Sequence, residues 1–310
     1  MNCRTQTIWK QLLLMVLITI SMGCNTGNAQ QKGNAQQDNN SQPKEFPYPE
    51  IPTMLTDAAA RLDYLCEHFW DRFDFNDSVE ANRLCGEQGL ANFINLSQQT
   101  DEVVNARAAQ AFAKRLWQGE DRNNYLELTE HYLYDPESPL RNDLLYAPLL
   151  EQLLELIPQT DPQASKLSFI LKNVQKNQVG SIATDFRYID RNDKVGSLHQ
   201  LQGTYTLLYL YDPDCENCQK TLMHMRAQLQ DPRVKVLAVY PDKDLDLWKN
   251  HQLTFKEGWI DSYSPNGEIN DKQLYFIQAT PSIYLLDKDK RVILKDASLN
   301  DVLSKLNSLL

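Results

Sequence analysis

The chain has 310 residues, of which 42% are hydrophobic and 23% are charged, as in a globular protein with one large or two ordinary domains. The formal net charge is -10 at pH 7, and no cluster of Lys or Arg interrupts this acidic composition. A nucleic-acid-binding surface needs concentrated positive charge, so the composition argues against a nucleic-acid partner.

Residues 1–23 have the layout of a secretory signal peptide. Arg4 and Lys10 precede an apolar run over residues 12–20, which is short for a membrane span. The run ends in Ser21-Met22-Gly23-Cys24, which resembles the lipobox of bacterial lipoproteins. The resemblance implies cleavage before Cys24 and a lipid anchor on that cysteine. The alternative is an ordinary signal peptide with an incidental cysteine.

Residues 24–45 are predicted to be a flexible tether. They are rich in Asn, Gln and Gly and nearly free of apolar residues, so they cannot bury enough surface to offset their ordering entropy. With the signal and the lipid anchor, this segment predicts a protein that is anchored on the extracytoplasmic side of the bacterial cell envelope, in the periplasm or at the outer membrane. Such a compartment permits disulfides.

Residues 46–177 are predicted to form an all-α domain. Apolar residues recur at helical spacing from Ala58 to Phe73, and Thr56 is placed to cap the first helix. Five further helices are predicted at about residues 87–97, 101–118, 122–134, 141–157 and 161–174, the fifth of the six containing Pro148.

Two blocks within this region, residues 68–75 and 134–142, resemble a helical domain of unknown function from bacterial envelope proteins. There it precedes a thioredoxin-like domain, and the resemblance implies no activity. The aromatic side chains of the first block are best interpreted as a core face, and a peptide-binding groove is the alternative.

Cys66 and Cys85 are a possible structural disulfide. They lie nineteen positions apart, with Cys66 on the first predicted helix and Cys85 in or beside a turn before Gly86. A disulfide closing such a loop would contribute roughly 3 kcal/mol in an oxidising compartment. The alternative is two buried free thiols that pack as small apolar side chains.

The periodicity changes at about residue 178, and residues 178–310 are predicted to form an α/β domain. A hairpin over residues 182–195 comes first, followed by a buried strand at 204–211 that leads into Cys215 and Cys218. The remaining predicted elements are a helix to about 229, a strand at 234–240, a helix at 245–251, a strand near 258–260, strands at 283–286 and 292–294, and a final helix at 299–310.

Cys215 and Cys218 have the spacing of a redox-active pair at the start of a helix. The first turn of a helix offers unpaired N–H groups and positive partial charge, which stabilise a thiolate. A second cysteine one turn later can attack the mixed disulfide that the first one forms. The pattern therefore predicts that Cys215 attacks and that Cys218 resolves.

Residues 178–310 resemble the thioredoxin superfamily, and within it the TlpA-like extracytoplasmic thiol-disulfide oxidoreductases. The resemblance rests on the cysteine pair at the helix start, on Gly203 before the central strand and on Thr280-Pro281 before the hairpin strand. It implies a cis peptide bond before Pro281, a substrate-backbone contact at Thr280 and no cofactor. It also implies protein thiol or disulfide clients and a membrane electron donor.

Three positions depart from that family. Asp214 stands where Trp usually precedes the first cysteine, Tyr209 replaces a buried carboxylate of the central strand, and Thr221 replaces an acid after the second cysteine. His224 is a conceivable proton carrier, although a helix histidine without such a role is the better interpretation.

Negative charge on Asp214 and Glu216 disfavours a thiolate at Cys215. We therefore predict a Cys215 that is less acidic than in strongly oxidising relatives, and a pair that reduces or isomerises disulfides instead of donating them.

The sequence thus predicts an all-α domain followed by a thioredoxin-like domain, acting as an envelope thiol-disulfide oxidoreductase. The alternative is a binding or assembly module in which the cysteine pair is a structural or vestigial disulfide. The peroxiredoxin pattern P-x-x-x-T-x-x-C is absent, because Asp212 stands three positions before Cys215 where those peroxidases have Thr. A zinc site is also disfavoured, because one pair of cysteines supplies only two ligands.

Overall fold

The computed structural model describes residues 44–310. The predicted signal peptide, the predicted lipid site Cys24 and residues 24–43 of the predicted tether lie outside the described residues. The first six helices of the described chain are α1 (Ala58–Glu67), α2 (Glu80–Ser97), α3 (Glu102–Gln118), α4 (Arg122–Tyr134), α5 (Asp143–Leu156) and α6 (Pro162–Val174). The predicted all-α architecture of this region is confirmed.

Helix α1 differs from its prediction at both ends. Its N-cap is Asp57, whose carboxylate accepts a hydrogen bond from the N–H of Ala60 at 2.9 Å, so the assignment of the cap to Thr56 is wrong. The helix ends at Glu67, and Phe69 and Trp70 therefore lie in the turns that follow it. Both aromatic side chains are nevertheless buried, because the turns fold back onto the helical core.

Helix α2 begins at Glu80, well before the predicted start at residue 87, and Cys85 is helical instead of lying beside a turn. Gly86 made this segment look like a turn, because glycine is a poor helix former. In the folded protein a Cβ at Gly86 would lie 2.4 Å from the hydroxyl oxygen of Tyr125. This glycine is therefore required for close packing and does not end the helix.

The aromatic residues of the first block form the centre of the helical core. The rings of Trp70 and Phe112 stack at a centroid distance of 4.6 Å, and Phe46 packs against Phe69, Trp70 and Phe73. These side chains fill a core and do not line an open groove.

The second half of the described chain is a seven-stranded mixed sheet with helices on both faces. Its strands are β1 (Arg187–Asp190), β2 (Val195–Ser197), β3 (Tyr205–Leu210), β4 (Val234–Tyr240), β5 (Ile260–Tyr263), β6 (Ser282–Leu286) and β7 (Val292–Leu294). Its helices are α7 (Glu216–Gln228), α8 (Leu245–Asn250), α9 (Glu268–Asp271) and α10 (Leu299–Leu309), with a 3-10 turn at Pro265–Gly267. The strand order is β2-β1-β5-β4-β3-β6-β7.

Strand β3 lies in the middle of the sheet and has a different core on each face. It runs parallel to β4 and antiparallel to β6. Alternate side chains point to opposite faces, so Leu207 and Tyr209 pack beneath helix α7, whereas Leu208 and Leu210 pack on the other face. The predicted α/β architecture is confirmed. The strand that was predicted near residues 258–260 is β5, which begins at Ile260.

The helical region and the sheet region belong to one compact unit. The side-chain amide of Asn177 donates to the main-chain oxygen of Leu274 at 2.9 Å, and Lys295 Nζ lies 2.6 Å from Asp143 Oδ2. The domain boundary at 177/178 stays a prediction, since the contacts do not divide the described chain there. Within residues 44–310, no helix is both long and apolar enough to cross a membrane.

Candidate functional site

The turn between β3 and α7 places two cysteines at the start of a helix. Cys215 is the N-cap of α7, and its Sγ accepts a hydrogen bond from the N–H of Cys218 at 3.1 Å. Its own N–H donates to the main-chain oxygen of Asp212 at 3.2 Å, which closes the turn. Cys215 is partly exposed and Cys218 is fully buried, so only the first sulfur can meet a large substrate.

A second segment reaches Cys215 from strand β6. The Cys215 thiol donates a hydrogen bond to the main-chain oxygen of Thr280 at 3.3 Å. The peptide bond between Thr280 and Pro281 is cis, as the resemblance to thioredoxins implied. Strands β3 and β6 pair with Leu210 opposite Ser282, and this pairing brings Thr280 and Pro281 to the cysteine pair.

The two cysteines have opposite pKa shifts. Burial raises the pKa of Cys215, but hydrogen bonds from the Cys218 and Thr280 side chains and from the Cys218 N–H outweigh it, and the pKa falls below its ordinary value. Burial raises the pKa of Cys218 to about 12, and its hydrogen bond with Cys215 acts in the same direction. The exposed sulfur is therefore the more readily ionised one, as attack by Cys215 requires.

The acidic neighbours of Cys215 point into solvent. Asp214 and Glu216 are exposed, and Glu216 pairs with Lys220 at 2.7 Å. Water screens both charges and Lys220 compensates that of Glu216, which weakens their predicted effect on the thiolate. How the acidity of Cys215 compares with that of oxidising relatives stays a prediction.

His224 does not lie near the dithiol face of its helix. It is exposed on α7, whose buried residues include Cys218, Leu222 and Met225. The preferred interpretation of His224, a helix histidine without a proton-transfer role, agrees with this position.

Tyr209, one of the three departures from the thioredoxin pattern, lies behind Cys218. Tyr209 is fully buried on β3, and its hydroxyl donates to the main-chain oxygen of Cys218 at 2.6 Å. Its ring stacks on that of Tyr211 at a centroid distance of 5.7 Å. The position that carries a carboxylate in many thioredoxins therefore supplies a neutral hydroxyl here.

Sequence reasoning missed the buried ionic cluster next to this tyrosine pair. Asp261 accepts hydrogen bonds from Tyr211 at 2.6 Å, from Arg191 at 2.7 Å and from Trp248 at 3.2 Å. His251 Nε2 lies 3.4 Å from the same carboxylate. A single Asp in a four-residue strand was the available signal, but its partners lie far along the chain and have no motif spacing.

Cys66 and Cys85 are both buried free thiols, so the structure does not contain the possible disulfide between them. Burial, with the charges of Asp63 and Glu67, raises the pKa of Cys66 to about 11, and burial also raises the pKa of Cys85. These two cysteines pack as apolar side chains, the second of the alternatives that the sequence allowed.

The fold has a solved relative over nearly its full described length. A thioredoxin-like protein from Bacteroides caccae superposes with a TM-score of 0.78 at 30% identity, covering 86% of this chain and 99% of that one. A family model described as a domain of unknown function, DUF5106, matches residues 23–177, half of the chain. The chain is a thioredoxin-like protein with an N-terminal DUF5106 domain.

Two further solved structures match only part of this thioredoxin-like protein. The C-terminal domain of an uncharacterized Bacteroides fragilis protein is 36% identical, covers 42% of this chain and 98% of that one, and has a TM-score of 0.40. The thioredoxin domain of a thiol-disulfide oxidoreductase from Bacteroides vulgatus is 22% identical, covers 43% and 97%, and has a TM-score of 0.38. No protein with a curated description matches the chain.

Proposed function

We propose that this protein is a thiol-disulfide oxidoreductase that acts on protein clients through Cys215 and Cys218. The observation that carries the proposal is the position of the Cys215 sulfur, between the N–H of Cys218 and the main-chain oxygen of Thr280. A lowered pKa and partial exposure on one sulfur, with a second thiol buried one turn later, are the requirements of two-step exchange.

In the first step the Cys215 thiolate attacks one sulfur of a client disulfide. A bond forms between Cys215 and that sulfur, and the other client sulfur leaves as a thiolate. The main-chain oxygen of Thr280 lies 3.3 Å from the Cys215 sulfur, so the segment Thr280-Pro281 can hold an extended client backbone beside the reacting sulfur.

In the second step Cys218 attacks Cys215 and releases the remaining client sulfur. The client has then gained two electrons, the pair has become a disulfide, and the two client thiols carry the protons that the cysteines lost. The oxidised pair needs a thiol reductant to return to the dithiol state.

The same proposal includes an envelope location. The lipobox-like Ser21-Met22-Gly23-Cys24 supports a lipid anchor, and an anchored protein would receive electrons from a membrane thiol carrier. Reduction or isomerisation of client disulfides is the direction we propose, because the negative charges of Asp214 and Glu216 disfavour the Cys215 thiolate and so disfavour a strongly oxidising pair. The exchange as proposed needs no metal or organic cofactor.

Substitution of Cys218 tests this function directly. In the full chain, Cys218→Ala removes the resolving thiol, so clients should stay joined to Cys215 and appear as slower bands on non-reducing gels. Cys215→Ala is the matched control and should trap nothing. If no client is trapped and the wild-type pair resists reduction, the protein is instead a binding or assembly module with a structural disulfide.

A further inference from the structure

Tyr209 places a hydroxyl directly behind the resolving cysteine. The hydroxyl oxygen lies 2.6 Å from the main-chain oxygen of Cys218, and the tyrosine is fully buried. Its pKa is raised by burial and then by the neighbouring Cys218 and Cys215 thiols, which agrees with a hydroxyl that faces the dithiol. The hydroxyl stays protonated at neutral pH and can act only as a donor toward sulfur.

The Tyr209 hydroxyl can turn away from the main-chain oxygen of Cys218 without leaving that buried oxygen unpaired. Cys218 lies in the first turn of α7, and its carbonyl faces the N–H of Leu222 in the helix ladder. The carbonyl keeps that partner when the tyrosine hydroxyl turns away. Tyr211 differs, because its hydroxyl is held by the ionised Asp261, whose other partners include Arg191.

The resolving step creates a need for such a donor. Cys218 must lose its proton while buried, and an uncompensated buried thiolate is costly. The described groups that lower the pKa of Cys218 through hydrogen bonds are the main chain of Asp212 and the side chain of Thr280, and neither is a charged donor. Burial still raises the pKa of Cys218 to about 12 in their presence, so a further neutral donor would help its thiolate to form, and the Tyr209 hydroxyl is placed against the same residue.

We propose that the Tyr209 hydroxyl turns from the main-chain oxygen of Cys218 to its sulfur as the thiolate forms, and stabilises that thiolate during resolution. The proposal rests on the exchange function above. The Cys218 sulfur bonds to Cys215, the client sulfur leaves with the electron pair of the broken bond, and the proton lost by Cys218 ends on the client thiol. Tyr209 keeps its own proton throughout.

The two steps can be measured separately with Ellman's reagent. The full chain would carry Cys3→Ser and Cys24→Ser, which leaves the four cysteines of the described region. Attack by Cys215 on the reagent releases one thionitrobenzoate, and attack by Cys218 on the resulting mixed disulfide releases a second. Absorbance follows both releases, so each step has its own rate constant in one experiment.

Tyr209→Phe removes only the hydroxyl. We expect the second release to slow by about ten-fold or more, the cost of one hydrogen bond to a charged group, while the first release changes by less than about two-fold. Tyr211→Phe is the matched control, since it removes a hydroxyl from the stacked ring without touching Cys218. It should leave the ratio of the two rate constants unchanged.

A purely structural role for Tyr209 would slow both steps alike or change neither, and either result overturns the inference. Tyr209→Met is a second variant without the donor, for use if the phenylalanine variant does not fold. In a Cys215→Ala background, loss of the donor should also move the alkylation profile of Cys218 to higher pH.

If the wild type releases one equivalent of thionitrobenzoate or none, the exchange function itself fails. If it releases two and Tyr209→Phe matches it, only the role of Tyr209 fails.

Discussion

The thiol of Cys215 donates a hydrogen bond to the main-chain oxygen of Thr280, 65 positions along the chain, at 3.3 Å. The two residues meet because β3 and β6 are antiparallel neighbours in the centre of the sheet. Sheet pairing thus brings the cysteine pair and the segment that faces it within hydrogen-bond distance, and their geometry depends on the register of those two strands.

Replacing Thr280 with Val should raise the pKa of Cys215. The Thr280 side chain contributes a hydrogen bond that lowers this pKa, and valine keeps the shape of the side chain without the hydroxyl. The pH dependence of Cys215 alkylation measures the change. Thr280→Ser keeps the hydroxyl and is the control. A profile for Thr280→Val that coincides with the wild type would show that the hydroxyl has no such effect.

Replacing Asp214 with Asn should lower the pKa of Cys215, by less than Thr280→Val raises it. Asp214 is exposed, so water screens its repulsion of the thiolate. The same alkylation profile measures this shift, and high salt should reduce it further. Asp246→Asn, at an exposed position of α8, is the charge-matched control and should have no effect. A larger effect of Asp214 than of Thr280 would contradict this ranking.

The elements of the dithiol site could be predicted because they are local. The apolar run before Cys215, the spacing to Cys218 and the pair Thr280-Pro281 each lie within a few residues, and the structure places them together. Strand β4 was predicted with its observed bounds, since a buried strand flanked by polar residues has an unambiguous pattern.

The features that the sequence did not predict depend on contacts between residues far apart in the chain. The start of α2 was missed because the close approach of Tyr125 to Gly86 is invisible in the local sequence. The partners of Asp261 were missed for the same reason: Arg191 and Tyr211 lie on other strands or turns, and only the strand order brings them to β5.

Replacing Asp261 with Asn should reduce the dependence of the free energy of unfolding on pH under acidic conditions. Burial alone would raise the pKa of Asp261, but hydrogen bonds from His251, Tyr211 and Arg191 hold it below its ordinary value. A depressed carboxyl pKa gives stability that is present above the unfolded pKa of about 4 and is lost as pH falls through the folded pKa. Denaturant titrations at several acidic pH values measure this dependence.

At neutral pH the same substitution should cost about 2–4 kcal/mol, because Arg191 loses its buried partner. The exposed Asp246→Asn is again the control. A variant that keeps the wild-type slope below pH 4 would show that other groups cause the acid sensitivity.

Replacing Asp143 with Leu should destabilise the contact between the helical and sheet regions by about 3 kcal/mol. Lys295 Nζ lies 2.6 Å from Asp143 Oδ2, and their side chains are 6% and 13% exposed. The substitution leaves a buried ammonium without its carboxylate.

Adding Lys295→Met should recover much of this loss, which a double-mutant cycle by chemical denaturation measures. The exposed Lys288 and Asp289 pair is the control and should give a coupling near zero. Additive losses for the buried pair would contradict the ion pairing.

Brief alkylation of the native protein at neutral pH should label Cys215 well before the other three cysteines of the described region. Its pKa is lowered and the residue is partly exposed, whereas Cys218, Cys66 and Cys85 are buried with raised pKa values. Peptide mass spectrometry identifies the labelled residues, and the same treatment in denaturant should label all four.

A non-reduced digest tests separately whether Cys66 and Cys85 of the helical region are free thiols. A peptide that joins Cys66 to Cys85 would contradict the two free thiols, and rapid labelling of Cys66 would contradict its burial.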